Sequence, residues 1–193
     1  LVPLAFLATI IMVYLLLRGF SGTVATIIVV FFSIVSAMGI TGWLGIKLTP
    51  PSASAPIIIL TLAVANAVHV LVAVVHEMHK GHSKLESIKE SVRVNMMPIF
   101  LTNLTTVIGF LSMNTSDAPP FRDLGNIAAI GITASFFYSV TFLPAIMAIL
   151  PIHSRHIVVG TAPMHKLADW IIARRKMLLP VVLLICFIFI SMI

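Results

Sequence analysis

Long apolar runs separated by short polar segments set the pattern of the chain. A helix needs about 20 apolar residues to cross a hydrocarbon layer roughly 30 Å thick. Six runs reach or approach that length: Leu1–Leu17, Val24–Ile46, Ala53–Val75, Val94–Met113, Leu124–Leu150 and a last one from Met177 to Ile193. No Asp, Glu, Lys or Arg interrupts the interior of any of them. Backbone polar groups in lipid must find partners inside the protein, and a single uninterrupted run does so as a helix. The pattern therefore predicts an all-α, polytopic transmembrane helix bundle. Five spans fall within residues 1–150, a connector occupies 151–176, and 177–193 begins a further span.

The polar segments carry their own signals. Ser83-Lys84-Leu85-Glu86 has the form of a capping box, and Leu85, Ile88 and Val92 then share one helical face. This predicts a short amphipathic helix near 83–93, lying on the inner leaflet between the third and fourth spans. In the connector, Leu167, Trp170 and Ile171 form an apolar face ahead of Arg174-Arg175-Lys176. Tryptophan and basic residues are the usual anchors at a membrane interface, so His165 to Lys176 reads as an elbow helix leading into the next span. The segments Lys47–Ser52 and Asn114–Asp123 are short and rich in Pro, Ser and Asp, which marks them as turns.

Composition strengthens the membrane reading. Hydrophobic residues make up 60% of the 193 positions and charged residues 9%, against roughly 45–50% and 25% in soluble domains. The net charge of +6 is scattered through short loops, which suits lipid headgroups and topology and excludes a nucleic-acid-binding face. Ten basic residues (Arg18, Lys80, Lys84, Lys89, Arg93, Arg155, Lys166, Arg174, Arg175 and Lys176) fall on one side, and only Lys47 and Arg122 on the other. The positive-inside rule makes the first side cytoplasmic, in the inner (plasma) membrane. A single cysteine, Cys186, allows no disulfide framework. No signal peptide is recognisable and both ends lie in apolar runs, which leads us to expect a segment of a larger protein.

Candidate chemistry is sparse and concentrated in two spans. In the third, Asn66 and His69 stand three residues apart among alanines and are expected to share one helical face. Intramembrane polar groups often mark an ion or substrate path, and they serve equally as hydrogen-bonding glue between helices. In the fourth, Thr102, Thr105, Gly109 and Ser112 recur at three- and four-residue spacing, with Asn103 and Thr106 beside them. Thr102, Gly109 and Ser112 are read as helix-packing positions; Asn66, His69, Thr105 and Thr106 are the ion-relay and transport candidates. His76-Glu77-Met78-His79 lacks the one-turn His-Glu-x-x-His spacing of a zinc protease, and Gly81 interrupts before His82. No nucleophile elbow, phosphate loop or paired intramembrane carboxylate is present, so no enzyme, metal site or cofactor is expected.

The stretch Leu101-Thr102-Asn103-Leu104-Thr105-Thr106-Val107-Ile108-Gly109-Phe110 resembles the Leu-Thr-x-x-Thr-Thr-x-x-Gly-Phe signature of resistance–nodulation–division (RND) permeases. The likeness is nearest to the MMPL-like and hydrophobe-exporter branch, whose membrane architecture is shared with sterol-sensing domains. Gly42-Trp43-Leu44-Gly45-Ile46, Ala65-Asn66-Ala67-Val68-His69 and Thr141-Phe142-Leu143-Pro144-Ala145 echo the helices before and after it. The resemblance implies helices two to six of one repeat plus the start of helix seven, with a second repeat and homo-oligomeric assembly in the complete protein. It also implies export of lipids or other hydrophobic cargo, driven by protons. The alternative it implies is a sterol- or lipid-sensing regulator without active transport. The family commonly carries aspartate where Asn66 stands here, and an amide carries no proton. Three arrangements follow: the acidic relay lies in the other repeat, His69 substitutes for it, or this half is not coupled to protons; the first is the one expected.

Overall fold

A computed structural model describes residues 2–17, 19–150 and 161–178, with Pro180, Val181, Leu184 and Phe187 beyond them. Among the described residues every regular element is helical: α1 (Val2–Leu17), α2 (Phe20–Trp43), α3 (Ala55–His79), α4 (Lys84–Leu111), α5 (Pro119–Phe137), α6 (Leu143–Ile149) and α7 (Thr161–Ala173). The chain divides into two units, Leu1–Ile157 and Val158–Ile193, of which the first holds α1–α6.

Four stretches are long and apolar enough to cross a membrane: Phe20–Trp43, Ser52–His79, Lys84–Thr115 and Pro119–Ile149. They correspond to the second through fifth runs in the sequence, and the protein is a multi-pass membrane helix bundle. The first run is helical but short, its apolar stretch covering only Phe6–Leu15. The sixth span falls mostly outside the described residues.

Turn chemistry sets where the helices stop. Gly45 has φ 68°, and its N–H bonds the Gly42 carbonyl while the Ile46 N–H reaches Thr41 O. That pair of bonds is a Schellman cap, which needs a residue free to adopt the left-handed region. Gly81, at φ 93°, also follows a helix end in the left-handed region, with its N–H on Met78 O. Between α2 and α3, Ser52 is fully buried and its hydroxyl is bonded to Thr49, closing the Pro50-Pro51 turn.

One sequence expectation needs correction. The capping box at Ser83 is formed, with Ser83 Oγ accepting from the Glu86 N–H and Glu86 Oε2 accepting from the Ser83 N–H at 3.0 Å. The helix it starts is not a separate inner-leaflet helix over 83–93, however. It continues unbroken through Pro98 to Leu111. At about 1.5 Å per residue, 28 residues span roughly 42 Å, more than the hydrocarbon layer requires. The charged first turns of α4 are therefore an extension of the fourth span beyond the apolar core.

The fifth span is interrupted in a different way. Between α5 and α6, Tyr138–Phe142 forms a π-helical turn just ahead of Pro144. Proline lacks an N–H and its ring collides with the carbonyl four residues earlier. Widening the preceding turn displaces that carbonyl. The widened turn is held to α2 by the Tyr138 hydroxyl, 2.8 Å from Ser36 Oγ, and by ring contacts of Phe32 with Tyr138 and Phe142.

Helix α3 is central, packing against α1, α2, α4 and α5. Toward the Lys84 end, Val70, Leu71 and Val74 form a core with Val13, Val29, Ile99, Leu143 and Met147. Toward the Lys47 end, Ala55 packs with Leu124 and Ile127. Two glycines permit the closest approaches of α5. A methyl group at Gly125 would fall onto the Phe110 carbonyl oxygen of α4, and one at Gly131 onto Ile59 of α3 and Ala37 of α2.

Candidate functional site: a closed amide clasp and a lateral groove

Between those two cores lies a polar layer joining three helices. Asn66 of α3 and Asn103 of α4 are each 4% exposed and bond reciprocally: Asn66 Nδ2 donates to Asn103 Oδ1 at 3.1 Å, and Asn103 Nδ2 donates to Asn66 Oδ1 at 3.2 Å. The second hydrogen of Asn66 Nδ2 points to Ser135 Oγ of α5 at 3.4 Å, and that of Asn103 Nδ2 to Ile99 O at 2.7 Å. Ser135 Oγ donates in turn to Ile132 O at 2.8 Å. Every donor hydrogen in the layer is used, and no member carries charge. A network closed in this way binds α3, α4 and α5 together, which is what a buried polar group needs to be tolerated in an apolar interior. Nearer the Lys84 end, the buried Ser91 hydroxyl of α4 adds a second tie, donating to Val70 O of α3 at 2.7 Å.

The structure separates the other candidates from this layer. His69, expected on the Asn66 face, is exposed on the surface of the bundle. Three residues along a helix turn the side chain by about 60°, and on a helix with neighbours on most sides that is enough to leave the interior. Thr105 and Thr106 do not reach the clasp: their hydroxyls donate to their own helix, at Leu101 O and Thr102 O. Thr102, Gly109 and Ser112, expected to pack against a helix, are exposed, and a Cβ at Gly109 would meet nothing within 4 Å. Within this chain, α4 instead packs through Asn103, Ile99 and its contact with Gly125.

Sequence reasoning noted Asn103 only as a neighbour of the threonine row, and Ser135 not at all. Asn103 could have been found, because it is the one amide in the apolar part of the fourth span at a depth matching Asn66. Nothing in the sequence separates Ser135 from Ser36 or Ser139, since its role comes only from the helix opposite.

The second feature is an open groove of about 630 Å³ near the Lys47 end, walled by Ile40 and Leu44 of α2, Val107 and Leu111 of α4, and Ile130, Thr133 and Phe137 of α5. Its lining is apolar apart from Asn126 and Thr133, and its volume falls in the range of small-molecule sites. Such a groove between spans can take an apolar molecule from the side.

A family model for the sterol-sensing domain of SREBP cleavage-activation matches residues 19–155, which covers α2 through α6. The chain belongs to the sterol-sensing-domain family. The domain is also similar to membrane protein MJ1562 of Methanocaldococcus jannaschii, 29% identical over 128 residues, which are 66% of this chain and 32% of that protein. It is similar to the hopanoid transporter HpnN of Rhodopseudomonas palustris, 31% identical over 74 residues, 38% of this chain and 8% of that protein. The domain thus spans a third or less of the curated relatives it matches. Together these likenesses uphold the RND-type membrane architecture read from the Thr-Thr-Val-Ile-Gly-Phe stretch.

Proposed function

We propose that this chain is the membrane portion of one repeat of an RND-type secondary transporter that exports lipids or other hydrophobic molecules. The observation that carries the reading is the open apolar groove between α2, α4 and α5 near the Lys47 end. Membership of a sterol-sensing family and similarity to a hopanoid transporter support a lipid as its occupant. The complete protein, in this reading, pairs this repeat with a second one and assembles as a homo-oligomer in the inner membrane, basic loops cytoplasmic. Protons drive it through the second repeat, because the clasp at Asn66 and Asn103 has nothing to titrate.

A sensing role without transport is the second reading. It is favoured by the buried polar groups of the bundle, which among the described residues are Ser, Thr and Asn with no charged side chain. One experiment separates the two. The full-length protein is reconstituted in vesicles, and transfer of a fluorescent sterol is followed with and without an imposed pH gradient. Transport predicts acceleration by the gradient, and loss of it when Thr133→Trp fills the groove from an exposed position. Sterol binding that Thr133→Trp abolishes, with transfer indifferent to the gradient, would instead establish the sensor. Binding and transfer both unaffected by Thr133→Trp would remove the groove from either account.

A further inference from the structure

Two sets of basic residues are treated differently by the structure. Around the α3–α4 turn two of them are neutralised internally: Lys80 Nζ lies 2.6 Å from Glu77 Oε1, and Arg93 pairs with Glu90 through two bonds of 2.5 and 2.7 Å. Lys84 Nζ donates to Ala148 O and Leu150 O, at 2.8 and 2.7 Å, capping the C-terminal end of α6. The group at the end of α7 has no such arrangement. Among the described residues no carboxylate pairs with Arg174, Arg175 or Lys176, and all three are exposed.

Their geometry is nonetheless ordered. Helix α7 breaks at Arg174, whose N–H still bonds Trp170 O, and residues 175–178 resume as helix with the Met177 and Leu178 N–H groups on Arg174 O. The three cations thus follow one another at this interruption of the helix. The Arg174 guanidinium lies 5.5 Å from the Trp170 ring, and Arg175 Nη1 donates to Ile172 O. A cation held over an indole keeps the rest of its fork of donors free for a phosphate. Beside it, Trp170, Ile171 and Ile172 are exposed by 47%, 46% and 57%, an apolar surface adjoining the charge.

We infer that the segment Trp170–Lys176 is a binding site for anionic phospholipid headgroups, separate from the groove proposed for cargo. Trp170 and the isoleucines enter the interface, and Arg174, Arg175 and Lys176 take the phosphates. An apolar surface joined to unpaired cations fits a charged bilayer surface, where each base near anionic lipid adds to binding. Which leaflet it meets rests on the orientation proposed above, whereas the lipid preference does not.

The test uses the full-length protein in which Trp43 and every other tryptophan except Trp170 are replaced by phenylalanine. It is reconstituted in phosphatidylcholine vesicles containing an equal fraction of either brominated phosphatidylglycerol or brominated phosphatidylcholine in both leaflets, so orientation does not enter. Brominated phosphatidylglycerol should quench Trp170 about twofold more strongly. The preference should vanish in Arg174→Gln/Arg175→Gln/Lys176→Gln, with quenching by brominated phosphatidylcholine retained as evidence that the helix is still embedded. An Arg174→Lys/Arg175→Lys variant should keep most of it. Equal quenching by the two lipids, or a preference that survives loss of all three charges, would overturn the proposal.

Discussion

Asn66 and Asn103 are the residues on which the bundle interior depends most specifically, because each satisfies the other. Replacing Asn103 by Leu strips Asn66 Oδ1 of its donor and leaves its Nδ2 with only the long contact to Ser135. The expected cost is about 1–2 kcal/mol, read from unfolding in mixed micelles. The double variant Asn66→Leu/Asn103→Leu should cost less than the sum of the single changes, since no orphaned amide remains. Strict additivity would mean the pair is not a clasp. Ser139 offers the contrast. Its Oγ is buried without a partner at the π-helical turn, where the usual bond back to the preceding turn is lost. Ser139→Ala should therefore leave stability unchanged or raise it slightly in the same measurement, whereas a loss of 1 kcal/mol or more would point to a partner the side chain meets in the membrane. Asn66 was legible in the sequence because a lone amide among alanines is conspicuous in an apolar span. Its partners were not, because which face meets which is decided between helices and leaves no mark within either one.

Among the elements, apolar length and turn residues were readable, and register was not. Runs of the right length identified α2 to α5, Gly81 marked the break after α3 and Ser83 with Glu86 began α4, whereas the second run extended past Gly45, where the chain takes positive φ and α2 has already ended. The π-helical turn before Pro144 escaped notice because a one-residue slip in hydrogen bonding changes no hydrophobic pattern. The same applies to close approach: six-residue spacing of Gly125 and Gly131 carries no signal until their neighbours are known. Gly125 lies against backbone and Gly131 mainly against the Ile59 side chain. Gly125→Ala should then be the more damaging, at the upper end of an overpacking cost of about 1–3 kcal/mol, because Ile59 can move and the Phe110 carbonyl cannot without displacing α4. Thermal unfolding of the two variants checks the order, and the reverse order would refute it. The start of α4 should respond to acid. Hydrogen bonds from the Ser83 hydroxyl and then the Ser83 N–H hold the Glu86 carboxyl below its ordinary value of 4.5. A depressed acid lends stability above the ordinary value and withdraws it as pH falls through the lowered one. Amide exchange at 84–87, corrected for intrinsic rates, should rise below about pH 4.5, and Glu86→Gln should exchange faster than the wild type above that pH and converge with it below.

At the scale of the molecule, the outer surface of the bundle is not uniform. Much of it is what lipid accepts: Phe31 and Phe137 are exposed by 60% and 59%, with Ile108 and Leu101 beside the threonine row. Two helices break this surface at similar depth, α4 with exposed Thr102, Thr105 and Gly109, and α3 with exposed His69 about one turn from Asn66. The threonine hydroxyls are turned back onto their own helix, which lowers the cost of facing lipid but does not explain a histidine there. Intramembrane ionisable groups ordinarily face protein or a wet cavity, so in the complete protein this face should be covered, and a second repeat is the cover proposed above. Spin labels at Thr105→Cys and Phe31→Cys of the full-length protein in bilayers test this. Phe31→Cys should show the high oxygen accessibility of a lipid-facing site. Thr105→Cys should show low accessibility to oxygen if protein covers it, and high accessibility to a polar nickel reagent if it lines a wet path. High oxygen accessibility at both positions would mean that the threonine row meets lipid, and the two-repeat arrangement would lose the strongest physical reason for it.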